Sequence, residues 1–237
     1  MSFLILVRHG QSVWNLEKRF TGWVDVDLTD KGESEAEKAG LLIKNKNIKI
    51  NFYYSSLQLR ANNTLKIIQK VLNDKKDFIK AWQLNERHYG ALTGLNKIEM
   101  SKKIGEDKVH EFRRSWDIKP EALDKESPYH PINIETYKDL SKEIIPNTES
   151  LKDTYERVTK YFEEEIKEKL ENKNVLISAH GNSIRALCKK LFNLDNKQVS
   201  ILEIPTGNPL IIELNTNLKI KKCEYLDKER AKNLVIF

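Results

Sequence analysis

Short apolar runs alternate with apolar stripes at helical spacing along most of this 237-residue chain. Phe3 to Val7 is a continuous apolar run, too short for a helix, and reads as a buried strand. Thr29 is placed as the N-cap of a helix with Ala36, Ala39, Gly40 and Ile43 on one face at the 3.6-residue period. Phe52 to Tyr54 is rich in β-formers and ends at Ser55-Ser56, after which Ala61, Leu65, Ile68 and Leu72 make a second stripe. Phe78 to Trp82 predicts another strand. From Ala91 to Pro146 the pattern loosens, and Pro120, Pro128, Pro131 and Pro146 predict an irregular excursion over about 91–149. Order resumes at the capping-box pattern Ser150-Leu151-Lys152-Asp153, followed by Leu151, Tyr155, Val158, Phe162 and Ile166 on one helical face. After a turn at Asn172 to Asn174, Val175 to Ser178 predicts a strand. A helix capped by Ser183 follows, with Ile184, Leu187, Cys188 and Leu191 inward. Val199 to Ile204 and Leu210 to Leu214 read as antiparallel strands around the hairpin-like Pro205-Thr206-Gly207-Asn208-Pro209. Strands alternating with helices predict an α/β fold with a mostly parallel sheet between helical layers. With no repeat or linker, residues 1–237 read as one domain with an embedded excursion.

Composition narrows the function classes. The net charge of +6 suggests acidic partners, but the lysines are dispersed beside acids, as in Asn73-Asp74-Lys75-Lys76-Asp77, and no basic tail stands out. A small polyanion fits this better than nucleic acid, which is not expected as a partner. Two cysteines, Cys188 and Cys223, fit a reduced cytoplasmic protein, and Cys188 falls on an apolar stripe, as a core residue does. No apolar stretch approaches the ~20 residues of a membrane span, so no membrane partner is expected. The run Phe3 to Val7 is too short for a signal peptide and ends in Arg8.

Two histidines share one setting. His9 follows Leu4-Ile5-Leu6-Val7-Arg8 and His180 follows Val175-Leu176-Ile177-Ser178-Ala179, each with a glycine next and a serine two residues beyond that glycine. This reads as strand, tight turn, helix start, and two such units bring two imidazoles to one strand-end edge, where α/β proteins bind ligands. Imidazole, with an ordinary pKa near ~6.5, offers a neutral nucleophile at physiological pH, so His9 is the candidate nucleophile. Arg8, Arg60 and His180 are the candidate phosphate clamp, since guanidinium meets phosphate oxygens two at a time. Arg60 also falls in the first turn of its helix, near an end that favours anions; the alternative is a surface helix arginine. Glu86 is the candidate general acid and base, a role that needs a pKa raised by burial or by neighbouring negative charge. The alternative is a solvated glutamate paired with Arg87. Lys97, Arg113 and Arg114 lie on the excursion and gain meaning only if it folds over the pocket.

The blocks Leu6-Val7-Arg8-His9-Gly10-Gln11-Ser12-Val13-Trp14-Asn15 and Phe20-Thr21-Gly22-Trp23-Val24-Asp25-Val26-Asp27-Leu28 resemble the opening of cofactor-dependent phosphoglycerate mutases. So do Leu84-Asn85-Glu86-Arg87-His88-Tyr89-Gly90-Ala91-Leu92, Gly94-Leu95-Asn96-Lys97, Ala179-His180-Gly181-Asn182-Ser183 and Ile204-Pro205-Thr206-Gly207. Arg-His-Gly alone implies only the wider histidine phosphatase superfamily; the Phe-Thr-Gly-Trp and Asn-Glu-Arg-His-Tyr-Gly blocks narrow it. The resemblance, spanning about residues 3–226, implies the mutase fold. It also implies a phosphorylated His9 that exchanges its phosphoryl group with monophosphoglycerates through 2,3-bisphosphoglycerate, which also primes it. By the same likeness Glu86 shuttles the hydroxyl proton while His180 and Arg60 steady the charge in flight. Arg8, Gln11, Ser12, Asn15, Gly181 and Asn182 then line the phosphoryl pocket. Thr21, Gly22, Tyr89, Lys97, Arg113 and Arg114 hold the substrate's other anionic groups. No metal is implied, and a homo-dimer or homo-tetramer is compatible. Gln11 stands where many members have glutamate, the tail Asp227 to Phe237 differs from theirs, and Pro120 to Ile134 matches only loosely. The same pocket would serve a bisphosphoglycerate mutase or phosphatase, or, without His9, Glu86 or His180, an inactive phospho-ligand-binding module.

Overall fold

Leu4, Ile5, Leu6 and Val7 are all sealed from solvent because β1 (Ser2–Arg8) is covered on both faces. Side chains alternate across a strand, so Leu4 and Leu6 enter one apolar cluster while Ile5 and Val7 enter another. β2 (Phe52–Ser55), β3 (Ile79–Lys80) and β4 (Val175–Ala179) run parallel to β1, while on the other side β5 (Leu210–Leu214) is antiparallel to β1 and β6 (Ile220–Tyr225) antiparallel to β5. The sheet order is β3-β2-β4-β1-β5-β6, and the computed structural model describes residues 1–231.

In chain order the helices are α1 (Val13–Leu16), α2 (Asp30–Lys44), α3 (Leu59–Leu72), α4 (Lys97–Ile104), α5 (Glu106–Arg114), α6 (Leu151–Tyr161), α7 (Gly181–Leu191), α8 (Asn196–Ile201) and α9 (Lys228–Ala231). α2 and α3 cover one face with Ala39, Ile43, Leu65 and Ile68. α6, α7 and α8 cover the other with Leu151, Val158, Ile184, Leu187 and Val199. This is the expected three-layer α/β arrangement with a mostly parallel sheet. α2 approaches α3 closely: a Cβ on Gly40 would lie 2.8 Å from Val71 Cβ. The caps also follow the sequence, since Thr29 Oγ1 accepts from Gly32 N–H and Ser150 exchanges bonds with Asp153.

Several expectations need correction. The strand expected over Phe78–Trp82 is only Ile79–Lys80, because Trp82–Leu84 turns into a 3₁₀ helix. Val199–Ile204 is not a strand: Asp195 and Gln198 form a capping box that starts α8, and Val199 packs into the core. The hairpin therefore joins β5 to β6, while Thr206 and Gly207 lie beside Arg8. Ser183 is not the cap of α7; His180 is, and its N–H donates to Ser183 Oγ at 3.0 Å. The excursion contains α4 and α5, which pack through Val109, Met100 and Phe112 against Phe20, Tyr89 and Leu92. Cys188 is fully buried, and burial raises its thiol pKa, as suits a core position. Of the tail, residues 232–237 lie outside the described residues.

Candidate active site

β2, β4 and β1 lie side by side and end at one edge of the sheet, and the next residue of each is Ser56, His180 and His9. The His9 and His180 rings stand 5.0 Å apart, and His180 Nε2 is 2.7 Å from Ser56 Oγ. His9 Nδ1 is 2.7 Å from Gly10 O. A carbonyl only accepts, so Nδ1 carries the ring proton and Nε2 keeps its lone pair. Burial, then the charges of Arg60 and Arg8, hold His9 well below the ordinary imidazole pKa, which keeps the ring neutral. Burial and Arg60 do the same to His180. The loop carrying His9 is pressed onto the start of α2. A Cβ on Gly10 would stand 2.1 Å from Gly32 O, and one on Gly32 would stand 2.1 Å from Gln11 O.

Arg60, in the first turn of α3, is buried rather than on the surface. Its guanidinium donates to the carbonyls of Val24 and Gly22 at 2.9 and 3.0 Å. Arg8 Nη1 donates to Ile204 O at 2.7 Å, whereas its Nε is buried without a partner among the described residues. His180 Nδ1 is in the same condition. Glu86 is only 8% exposed and does not pair with the Arg87 side chain, which reaches Phe112 O and lies over the Tyr89 ring. Its Oε1 accepts from the backbone N–H groups of Arg87 (2.7 Å) and Asn182 (3.3 Å). A methyl on Gly181 would stand 3.5 Å from Arg8 Nε and 3.8 Å from Glu86 Oε2, so these groups converge on the start of α7.

A cavity of about 820 Å³ opens between these strand-end loops and the α4–α5 pair. Its lining carries Arg8, Lys18, Lys31, Lys97, Lys102, Arg113 and Arg230 against Glu35 and Glu106. Gln11 and Asn15 also line it. Lys97 Nζ donates to Arg19 O; burial, then Arg113 and Arg8, bring its pKa down to about 8, against the pull of Tyr89 and Glu86. Burial alone would raise the Tyr89 phenol, but Arg87, Lys97 and Arg113 outweigh it and hold its pKa below the usual value. Tyr89 Oη accepts from Asn182 Nδ2 at 3.1 Å. Arg114 is turned elsewhere, ion-paired with Glu203, and is not among the lining residues. Ser12 Oγ is spent capping α1. Thr21 is buried, and Gly22 supplies the carbonyl that orients Arg60 and Gln58.

Sequence reasoning missed Ser56 as a partner of His180, although its place at a strand end matched that of the two histidines. It also missed Gln58, whose side chain accepts from Glu86 N–H at 2.8 Å. Among the described residues no group of His, Cys, Asp and Glu is placed to hold a metal ion, and no helix is long and apolar enough to cross a membrane.

A family model of the histidine phosphatase superfamily (branch 1) matches residues 4–131 and 130–222. A 2,3-bisphosphoglycerate-dependent phosphoglycerate mutase of Pelagibacter ubique is 67% identical over 100% of both chains. One from Borreliella burgdorferi is 51% identical over 95% of this chain and 92% of its own. Among solved structures, a mycobacterial glucosyl-3-phosphoglycerate phosphatase superposes with a TM-score of 0.67 at 20% identity, covering 94% of this chain and 96% of its own. The α-ribazole phosphatase of Shigella flexneri gives 0.66 at 18% identity, covering 91% and 92%. These two likenesses speak for the fold alone. The identities to the mutases and the family match together make the chain a member of the histidine phosphatase superfamily, branch 1, and within it of the 2,3-bisphosphoglycerate-dependent phosphoglycerate mutases.

Proposed function

We propose that this chain interconverts 3-phosphoglycerate and 2-phosphoglycerate in glycolysis and gluconeogenesis, through a phosphohistidine on His9. The observation that carries the reading is a neutral His9 with its proton fixed on Nδ1, its ring 5.0 Å from that of His180 and next in the chain to Arg8, which lines a mainly cationic cavity. Bound 2,3-bisphosphoglycerate supplies the phosphoryl group that charges His9. The residues fit such a polyanion, since Arg8 Nε is a buried donor without a partner among the described residues and the lining is mainly cationic.

Phospho-His9 gives its phosphoryl group from Nε2 to the free hydroxyl of a monophosphoglycerate as the P–N bond breaks. Nε2 then takes the other phosphoryl group of the bisphosphate so formed as its P–O bond breaks, which restores the phosphohistidine. Oε1 of Glu86 is pinned by two backbone N–H groups, which leaves Oε2 to carry the proton between those oxygens. Ser56 Oγ engages His180 Nε2, which leaves the buried, unengaged Nδ1 to meet a phosphoryl oxygen. Arg8 and Arg60 add fixed positive charge. Gln11, Asn15, Gly181 and Asn182 shape the phosphoryl pocket, and Thr21, Gly22, Tyr89, Lys97 and Arg113 hold the carboxylate and second phosphate. Arg114 and Ser12 are assigned outer supporting places. We take the sheet and its excursion as one cytoplasmic domain acting on phosphoglycerates without a metal. Turnover of 3-phosphoglycerate should need only catalytic 2,3-bisphosphoglycerate and survive excess EDTA. Loss in EDTA with recovery on adding Mn²⁺ or Mg²⁺ would overturn this.

The low pKa of Lys97 sets a pH dependence. Its charge is present below about 8 and lost above, so anion capture by the free enzyme weakens as pH rises. kcat/KM, which reports free-enzyme ionisations, should fall on an alkaline limb near that value. Lys97→Arg should move the limb to higher pH; an unchanged limb would remove Lys97 from the binding set.

A further inference from the structure

Glu86 sits on an irregular loop, yet a proton carrier must be held to a fraction of an ångström. What holds this loop lies outside the cavity. Arg157 on α6 uses every donor of its guanidinium. Nε and Nη2 grip the Glu149 carboxylate at 2.6 and 2.9 Å, Nη1 donates to Gln83 O (2.7 Å) and Asn85 O (2.9 Å), and Nη2 also reaches Glu86 O (3.0 Å). Glu149 in turn accepts from His88 N–H at 2.8 Å. The two side chains are 8% and 5% exposed, so neither water nor salt loosens the pair. The backbone is thus grasped on both sides of Glu86.

We infer that Arg157, oriented by Glu149, is a positioning residue that fixes Glu86 for proton transfer. This rests on the reading of Glu86 as the proton carrier. The planar fork matters, because a lysine has charge but only three donors on one nitrogen and cannot span Glu149 and three carbonyls at once. A residue that acts through Glu86 should lose its effect once Glu86 no longer moves protons.

The test is a double-substitution cycle on the full chain, with 3-phosphoglycerate and priming 2,3-bisphosphoglycerate. Arg157→Lys should lower kcat by roughly 10- to 100-fold with KM within about twofold, the scale of a misplaced catalytic group. In the Glu86→Gln background the same change should cost about twofold or less. Effects that multiply, or a kcat near wild type in Arg157→Lys, would overturn the inference and leave the role of Glu86 standing. A wild-type kcat in Glu86→Gln alone would instead remove the acid–base reading, and this inference with it. Should Arg157→Lys fail to fold, Glu149→Gln, which keeps the shape and loses the charge, carries the same readouts.

Discussion

His9→Ala should abolish phosphoenzyme formation and lower mutase turnover on the order of 10⁴-fold or more, the scale of removing a nucleophile. The geometry explains why no neighbour substitutes. His180 is the adjacent imidazole, but its Nε2 is engaged with Ser56 Oγ and it is the N-cap residue of α7. Cys188 is buried in the core with a raised thiol pKa. His9 alone combines a lone pair on Nε2 with a proton fixed on Nδ1 by the Gly10 carbonyl. Its lowered pKa keeps the ring unprotonated through the physiological range, so charging should not collapse as pH falls from 8 to 6. Incubation with 2,3-bisphosphoglycerate radiolabelled in its phosphates makes the check. Label on wild type should be lost in acid and kept in alkali, as for a phosphoramidate. Equal labelling of His9→Ala would sink the assignment.

Glu86→Gln should slow turnover by roughly 10²-fold or more, with a smaller change in KM. The structure makes this a clean substitution. The amide oxygen can take the place of Oε1 and keep the bonds from Arg87 N–H and Asn182 N–H. The amide nitrogen then occupies the Oε2 position, where it donates a hydrogen bond but cannot exchange a proton. Steady-state rates and a melting curve together decide the matter: an unchanged melting temperature with a large loss of kcat is the expected pair. Wild-type turnover would return Glu86 to an ordinary buried carboxylate.

What was legible in the sequence follows from where each signal is local. β1 and β4 announced themselves because burial on both faces demands unbroken apolar runs. β6 gave no such signal, since Ile220-Lys221-Lys222-Cys223 is an edge strand dressed in lysines. Val199–Ile204 looked like a strand because Val199, Ile201 and Ile204 are β-formers, yet Asp195 and Gln198 already spelled a helix start. His9, His180 and Glu86 were readable through motif blocks, whereas Arg157 was not, because the three carbonyls it holds beside Glu149 lie more than 70 positions away. The turn of Arg114 toward Glu203 was equally invisible, being set by how α5 packs.

The sheet order carries a consequence for how the molecule comes together. β4 is inserted between β1 and β2, which share no hydrogen bonds with each other. Until Val175 to Ala179 has been made and docked, the two earlier strands have no common ladder, and His9 has no imidazole neighbour. A growing chain therefore holds its first 174 residues without the central strand of its own sheet. His9 and His180 meet by one of the longest loop closures available to this fold, the sort of non-local pairing that slows folding. The sheet edge that brings His9 beside His180 is thereby completed only when β4 takes its place.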